Sequence, residues 1–204
     1  MRKPSENPKT KEKLLDCAQE LMLTKGFAAT SLDEICKKAR VTKGCFFHYF
    51  RSKEDLGKSL LERFCCASMA TMKENCYAKN REGDPLKRVF AYADFAARMS
   101  KNSFSAKGCL IGTFAQELSD THPKIRSICA RGFSEWAKII KEDLDKAKAK
   151  YLPKAALDTK SLAEHFIAVF EGSEILAKAK QDHTIVERNM KHLKQYFKSV
   201  FKGH

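Results

Sequence analysis

Hydrophobic residues recur every three or four positions along almost the whole chain, and no stretch alternates strictly between apolar and polar residues. This spacing predicts amphipathic helices rather than strands, because three to four residues make one helical turn. Only 5 prolines and 9 glycines interrupt the pattern in 204 residues. The sequence therefore predicts an all-α protein.

Local signals at the predicted breaks set the limits of the helices. Gly26 stands where a left-handed cap would end the first helix, and Ser31 with Glu34 forms a capping box before the second. Asp84 followed by Pro85 has the form of a helix start, because proline at the first helical position loses no hydrogen bond. The predicted helices span about 8–25, 32–39, 42–50, 52–79, 85–101, 108–119, 123–150, 159–180 and 184–201.

The second and third predicted helices are short and are separated by a turn of three or four residues, which is the form of a helix-turn-helix. Such a motif needs a short, rigid helix that fits a DNA major groove about 12 Å wide. In the third helix Phe46 and Phe50 can pack inward, and Gly44 leaves room for a close approach to bases. The residues that can face outward are Thr42, Lys43, Gly44, Cys45 and His48. The alternative is a helical hairpin with a basic face that arose by chance.

Net charge narrows the possible partners. The chain has 39 Lys and Arg against 25 Asp and Glu, a net charge of +14, which predicts a polyanionic partner, nucleic acid ahead of a membrane surface. A solvated lysine surface is the alternative for many of these side chains. No window reaches the roughly 18 apolar residues of a membrane helix, and the start of the chain lacks the apolar segment of a secretory signal. We therefore expect a cytoplasmic protein without membrane contact.

The spacing of cysteines and histidines argues against metal and catalytic sites. The 8 cysteines form no Cys-x-x-Cys pair and no finger-like cluster with the 6 histidines, so we expect free thiols and no metal. The chain has no glycine-rich phosphate loop, no His-Glu-x-x-His motif and no credible Ser/His/Asp or Cys/His set. An enzyme is the rival class, but we expect no catalytic residues and no cofactor.

Residues 11–61 resemble the N-terminal domain of the TetR (AcrR-like) family of bacterial transcriptional regulators. The similar segments are 14–21, 26–27, 30–35, 39–44 and 48–56. The resemblance implies a DNA-binding domain at 8–56, with its recognition motif at 31–50, and an effector-binding and dimerisation domain at 57–204. It also implies a homodimeric repressor that leaves a double-stranded, palindromic operator when a small apolar or electrophilic effector binds. Activation instead of repression stays open, and the alternative is a sequence-tolerant architectural DNA-binding protein without an effector.

The same resemblance implies contacts for single residues of the DNA-binding domain. Phosphate contacts fall mainly at the starts of the second and third helices, where free amides and the helix dipole favour an anion. One departure is Phe47: the family usually has a tyrosine there, so its hydroxyl contact to phosphate is absent or is supplied by Tyr49. For His48, a packing role is the alternative. The implied phosphate contacts are Thr30, Ser31, Thr42, Tyr49 and Lys53, and the implied base contacts are Lys43, Gly44, Cys45 and His48.

The family architecture implies a four-helix bundle between subunits, made by helices eight and nine. Two-fold symmetry would then set two recognition helices about 34–36 Å apart. The implied interface residues are Phe166, Ala168, Phe170, Gly172, Ile175, Met190, Leu193 and Phe197. Packing inside the chain is the alternative for this stripe.

An effector pocket is implied among helices four to eight, where aromatic and methionine side chains suit an adaptable apolar site. Fewer than half of the candidates are expected to touch a ligand, because most are ordinary core residues. The candidates are Phe64, Met69, Met72, Phe90, Phe95, Met99, Cys109, Phe114, Phe133, Trp136 and Lys178.

Cys109 carries a more specific prediction. The Gly108-Cys109-Leu110 start of helix six, together with Lys178, is similar to the branch of the family that contains the N-ethylmaleimide reductase repressor, which is associated with sensing electrophiles and oxidants. A thiol in the first turn of a helix has its thiolate stabilised by the helix dipole and by a nearby ammonium group. The alternative is an ordinary ligand pocket, since Gly-Cys-Leu is common at this place among relatives.

Overall fold

The computed structural model describes residues 8–77, 83–101 and 108–202, and these ranges form nine α-helices. The predicted all-α fold is confirmed. The end predicted for helix four near Lys79 lies outside the described residues. The helices are α1 (Pro8–Lys25), α2 (Leu32–Ala39), α3 (Lys43–Tyr49), α4 (Lys53–Tyr77), α5 (Pro85–Met99), α6 (Leu110–Leu118), α7 (Pro123–Tyr151), α8 (Thr159–Lys180) and α9 (Thr184–Lys202).

Side chains that satisfy free backbone groups set the helix starts. The Ser31 hydroxyl accepts from the amide of Glu34, and the Glu34 carboxylate accepts from the amide of Ser31, so the predicted capping box is present. Asp84 and Asp158 each accept hydrogen bonds from two amides in the first turns of α5 and α8. These caps remove donors that a bare helix end would leave unsatisfied.

The start of α6 differs from its prediction. The helix begins at Leu110 rather than at Gly108, because Gly108 has a φ of +102° and cannot continue a right-handed helix. Cys109 is therefore the residue before the first helical position, not a member of the first turn. It still lies next to the free amides of the helix start.

The first compact unit contains α1 to α3, the start of α4, α6 and the start of α7. In it α1 packs on α2 and on α6, and α2 packs on α3. Each large apolar side chain buried here stabilises the unit by about 1.5–3 kcal/mol. Fully or almost fully buried are Leu14, Ala18, Met22, Ile35, Ala39, Phe46, Phe50, Leu56, Leu60, Phe114 and Leu118.

Two charged side chains hold the turn between α1 and α2. The Lys53 ammonium donates to the carbonyl oxygens of Phe27 at 2.8 Å, Ala28 at 3.3 Å and Thr30 at 2.8 Å. The Glu117 carboxylate on α6 accepts from the amides of Phe27 and Ala28 at 2.8 and 2.7 Å. Burial lowers the pKa of Lys53, and the Glu117 charge opposes this shift. The backbone groups of this turn are thus satisfied by side chains instead of by a helix.

The second compact unit contains residues 65–109 and the chain from residue 130 onward. Within it α9 packs on both α5 and α8. Its apolar core is continuous across α5, α7, α8 and α9. Among its most deeply buried side chains are Val89, Tyr92, Ile140, Leu144, Ala163, Phe166, Val186, Met190 and Phe197.

A buried ionic network crosses the core of the second unit. Asp143 of α7 is 0% exposed, and Arg88 of α5 is 6% exposed. The Arg88 guanidinium meets the Asp143 carboxylate through Nε at 2.8 Å and Nη2 at 2.7 Å, and its Nη1 donates to the Gly83 carbonyl. The Tyr92 hydroxyl donates to the other Asp143 oxygen at 3.1 Å. Each charge is therefore compensated within the core.

The two packing units differ from the division predicted at residue 56. The first unit continues to Phe64 and includes residues 110–129, because α6 packs on α1. The predicted division separates a DNA-binding from an effector-binding function and stays a prediction. The packing shows that α6 belongs structurally with the helix-turn-helix.

In the described part of the chain, no helix combines the length and the apolar character that crossing a membrane requires. All eight cysteines lie in this part and none of them is in a disulfide there; Cys66 is exposed, while Cys36, Cys65, Cys76 and Cys129 are buried.

Candidate DNA-binding surface and effector site

The short helix α3 has one buried and one exposed face. Phe46 is 0% exposed and Phe50, directly after the helix, is 2% exposed, so both anchor α3 in the core of the first unit. Positions 43, 44, 47 and 48 share the opposite face, because residues three and four apart are neighbours on a helix. The exposed residues are Lys43, Gly44, Phe47 and His48. We call these four residues the outward face of α3.

Two more predicted base and phosphate contacts lie at the margins of the outward face. Cys45 and Tyr49 are half-buried. The Tyr49 ring meets the His48 ring edge to face, with centroids 4.9 Å apart. His48 therefore contacts the Tyr49 ring and is still accessible from solvent.

Lys43 is held by an ion pair that a DNA phosphate or base can replace. Its ammonium lies 2.7 Å from the Asp33 carboxylate, and the two side chains are 61% and 68% exposed. This hydrogen bond raises the pKa of Lys43, so the side chain is charged at neutral pH. An exposed pair contributes about 0–1 kcal/mol. Lys43 is therefore free to exchange Asp33 for DNA at little cost.

The hydroxyl groups predicted to meet phosphate lie at the starts of α2 and α3. Thr42 is exposed, and its hydroxyl accepts from the amide of Cys45 at 3.2 Å. Ser31 is also exposed, but its amide and its hydroxyl both bond to the Glu34 carboxylate. A phosphate at Ser31 would have to approach this carboxylate, whereas Thr42 has no acidic residue in its own first turn.

Thr30 and Lys53, both predicted to contact phosphate, make hydrogen bonds within the first unit. Thr30 is 0% exposed, and its hydroxyl donates to the carbonyl of Gly26 at 2.7 Å. An ammonium group has three N–H donors, and the three carbonyl oxygens of the α1–α2 turn lie within reach of those of Lys53. The structure therefore assigns both residues to the support of the turn.

The predicted effector-pocket residues are divided between the two compact units. Phe64 and Phe114 belong to the first unit, and the Phe114 ring packs edge to face on Phe27 at 5.6 Å. The remainder belong to the second unit, where Met72 is buried, Met99 is half-buried and Lys178 is exposed. Partly buried against the second core are Met69, Phe90, Phe95, Phe133 and Trp136.

The surroundings of Cys109 include an acidic residue, Glu171, that the sequence did not single out. The Cys109 thiol shares a hydrogen bond with the Glu171 carboxylate of α8. Burial raises the pKa of Glu171 to about 7, against the opposing effect of this hydrogen bond. Burial, with the nearby Glu171 charge, also raises the pKa of Glu174 to about 7. Cys109 thus bonds to a carboxyl group whose pKa is raised by burial.

Two buried polar atoms of this region have no hydrogen-bond partner among the described residues: Glu171 Oε1 and Trp136 Nε1. The Trp136 ring packs edge to face on Phe170, the residue before Glu171, with centroids 5.5 Å apart. Buried polar groups in proteins are nearly always paired. An acceptor, a donor and two aromatic rings are therefore available here to a small ligand.

The exposed face of α8 and α9 differs from the predicted interface. Phe166, Met190, Leu193 and Phe197 are at most 3% exposed and belong to the core of their own chain, so they have no surface left for a partner. Of the other predicted residues, Phe170 and Gly172 are half-buried. Exposed on the two helices are the predicted Ala168 and Ile175 together with Leu176, Tyr196 and His165. We call these five residues the α8–α9 face.

A surface groove of about 750 Å³ lies at the C-terminal end of α7. It is lined by residues 151–157, which connect α7 to α8, and by Ser199 and Val200 of α9. None of the predicted effector residues lines it. The groove and the Cys109 surroundings are therefore separate features of the second unit.

Family models match both parts of the chain. Residues 14–60 match the model described as bacterial regulatory proteins, tetR family, and residues 85–193 match the model described as tetracyclin repressor-like, C-terminal domain. A helical chain with an exposed recognition helix and these two matches defines a class of protein, the helix-turn-helix transcriptional regulators.

Whole-chain relatives agree with this class. The HTH-type transcriptional repressor NemR of Escherichia coli is 28% identical over 91% of this chain and 92% of its own. The transcriptional regulator AcuR of Cereibacter sphaeroides is 30% identical over 82% of this chain and 75% of its own. The crystal structure of reduced E. coli NemR superposes with a TM-score of 0.77 at 27% identity, covering 92% of this chain and 97% of that one. The chain belongs to the TetR family of transcriptional regulators, which are not enzymes.

Proposed function

We propose that this chain is a cytoplasmic, homodimeric repressor that binds a near-palindromic operator and is released by a small apolar or electrophilic effector. The outward face of α3 carries this proposal. It presents Lys43, Gly44 and His48 to solvent on a helix fixed from behind by Phe46 and Phe50. A short helix with a rigid support fits a major groove. The net charge of +14 adds sequence-independent attraction to DNA.

The exposed α8–α9 face is the observation that supports the proposal of a homodimer. Ile175 is 47% exposed, Leu176 is 46% exposed and Tyr196 is 46% exposed in the single chain. A Cβ added at Gly172 would meet nothing within 4 Å, so the α8 backbone is open to close approach by another helix. Exposed apolar groups on two adjacent helices favour a four-helix contact with a second copy.

The surroundings of Cys109 support the proposal that an effector acts at this residue. The thiol lies beside the start of α6 and is hydrogen-bonded to Glu171. Alkylation of this sulfur would end its S–H hydrogen bond to Glu171, and Cys109 is joined directly to Leu110, the first residue of α6. Because Glu117 of α6 holds the amides of Phe27 and Ala28, movement of α6 would disturb the support of the helix-turn-helix.

The first test is selection of bound duplexes from a random DNA pool with the full-length protein. We expect a near-palindrome with half-sites about 34–36 Å apart, one turn of DNA or a multiple of it. Lys43→Ala should weaken binding to this site by about tenfold, because a good base contact contributes about 1–3 kcal/mol. Lys87→Ala, which removes an exposed lysine of α5, is the matched control. Absence of an enriched motif would favour the sequence-tolerant architectural alternative.

The second test concerns the effector. N-ethylmaleimide should release the wild-type protein from the selected operator, and Cys109→Ser should stay bound at the same reagent concentration. Cys66→Ser is the control for an exposed thiol, and Cys45→Ser is the control for a thiol near the outward face of α3. Release of Cys109→Ser to the wild-type extent would exclude Cys109 and direct the search to a non-covalent ligand.

A further inference from the structure

Phe47 is the most exposed of the large hydrophobic side chains in the described ranges, at 52%. It lies on the outward face of α3, four residues after Lys43 and three after Gly44. The other exposed large hydrophobics, on α7 to α9, are Tyr151, Ile175, Leu176 and Tyr196. Phe47 is thus an apolar group placed among the residues proposed to meet DNA.

Packing inside the chain does not explain this position. Phe46 and Phe50 already fill the inward face of α3, and the Phe47 ring meets the Phe46 ring edge to face, with centroids 5.4 Å apart. A phenyl group half in water gives the free protein little benefit, since the hydrophobic effect rewards removal from water. The ring is available for burial by a partner.

The chemistry of the ring limits what it can recognise. A phenyl group has no hydrogen-bond donor or acceptor, so it cannot bond to a phosphate oxygen or to the polar edge of a base. The apolar feature of the major groove is the 5-methyl group of thymine. Lys43 and His48, on either side of Phe47 on the outward face, can make the polar contacts.

Gly44 makes room for such a contact. A Cβ built at this position would have only the Thr42 hydroxyl oxygen within 4 Å, at 3.9 Å, and residues 44 and 47 are neighbours across one helical turn. The bare backbone at Gly44 therefore leaves open space on the outward face of α3, one helical turn before Phe47. A base edge can enter it without displacing a side chain.

We propose that Phe47 determines operator specificity by packing its ring on the 5-methyl group of a thymine in each half-site. This inference rests on the proposed function, because it requires site-specific binding by the outward face of α3. It predicts an apolar contact that contributes to sequence preference and leaves the number of phosphate contacts unchanged.

The test combines base analogues with variants of the full-length protein. Each thymine of the selected operator is replaced in turn by deoxyuridine, which removes only the methyl group. We expect one position per half-site where this replacement weakens wild-type binding by about fourfold, the factor for burying one methyl-sized group. Phe47→Ala should bind the thymine and deoxyuridine duplexes equally, whereas Phe47→Tyr, which keeps the ring, should retain the difference.

Salt dependence separates this contact from a phosphate contact. Phe47→Ala should keep the wild-type slope of log K against log salt, and Lys43→Ala is the comparison variant for the loss of a charged contact. Circular dichroism melting of both variants checks that the exposed substitutions leave the fold intact.

Three results would overturn the inference and leave the proposed function standing. If no deoxyuridine replacement weakens binding of the wild-type protein, there is no contact with a thymine methyl group. If a replacement weakens binding of the wild-type protein and of Phe47→Ala equally, another residue contacts that methyl group. A reduced salt slope for Phe47→Ala indicates a backbone contact instead. If the wild-type protein selects no motif, the proposed function fails together with this inference, whereas a selected motif without any deoxyuridine effect removes the inference alone.

Discussion

Asp143→Asn should lower the free energy of unfolding by about 3–5 kcal/mol, the usual cost of removing one partner of a buried ion pair. The Arg88 guanidinium would remain in the core, 6% exposed, with a neutral amide in place of the carboxylate. The Tyr92 hydroxyl would also lose a charged acceptor. Urea denaturation of the full-length protein at neutral pH measures this loss.

Two variants separate the buried pair from general charge effects. Glu142→Gln removes the neighbouring exposed carboxylate on α7 and should change stability by less than about 0.5 kcal/mol. Replacing Arg88 by Met together with Asp143 by Leu should recover part of the loss, because it removes both buried charges but also removes the Asp143 acceptor of the Tyr92 hydroxyl. If Asp143→Asn were as stable as Glu142→Gln, the network would not stabilise the second unit.

Glu171→Gln should make the protein more stable at pH 8 and should have little effect at pH 5. Burial raises the pKa of Glu171 from its usual 4.5 to about 7 in the folded chain. Between these two values the unfolded state releases the proton and the folded state keeps it, so stability falls as pH rises. A glutamine has no proton to release and escapes this loss.

The expected difference between Glu171→Gln and wild type grows from about pH 4.5 to pH 7 and then stays constant. Its full size is about 3 kcal/mol, from 1.36 kcal/mol for each pH unit between the two pKa values. The glutamine oxygen can still accept the hydrogen bond of the Cys109 thiol. Thermal melting at pH 5 and pH 8 measures the change.

Glu164→Gln is the matched control, because Glu164 lies on the same helix with 59% of its side chain exposed. It should show no pH-dependent gain. A gain for Glu171→Gln that is equal at pH 5 and pH 8 would mean that the Glu171 carboxyl is not desolvated in the folded protein.

The helix limits could be predicted because their signals are local. Ser31 and Glu34 are three residues apart, and each satisfies a backbone amide of the other. Phe46 and Phe50 are one helical turn apart, so the inward face of α3, and with it the outward face, follows from the spacing alone. The start of α6 could not be predicted in this way, because a glycine before an apolar run can either join the helix or precede it. In the structure the φ of +102° at Gly108 excludes this residue from the helix.

The roles of Thr30 and Lys53 depend on contacts that the sequence does not display. Lys53 lies at the start of α4, but its ammonium bonds to carbonyl oxygens more than twenty positions earlier in the chain. Glu171 and Cys109 are likewise brought together only by the packing of the second unit. A lysine that extends into solvent and one that bonds to the main chain have the same sequence signature, so only the folded chain distinguishes them.

The stripe on α9 shows a different limit. Met190, Leu193 and Phe197 follow the spacing of an amphipathic helix, and the chain's own core buries all three. An intrachain core and a subunit interface both require apolar residues at helical spacing. Periodicity therefore identifies the apolar face of a helix without saying which chain covers it.

The turn between α1 and α2 has a consequence for how this protein can diverge. Lys53 donates to carbonyl oxygens and Glu117 accepts from amides. Each side chain therefore bonds to a backbone group that no mutation can change from donor to acceptor or from acceptor to donor. Two oppositely charged side chains that pair only with each other can trade places during evolution and restore the bond. Positions 53 and 117 cannot, because an acid at 53 would face oxygens and a base at 117 would face N–H groups. The main chain therefore fixes the hydrogen-bonding role of each position, and substitution during evolution is confined to residues that keep a donor at 53 and an acceptor at 117.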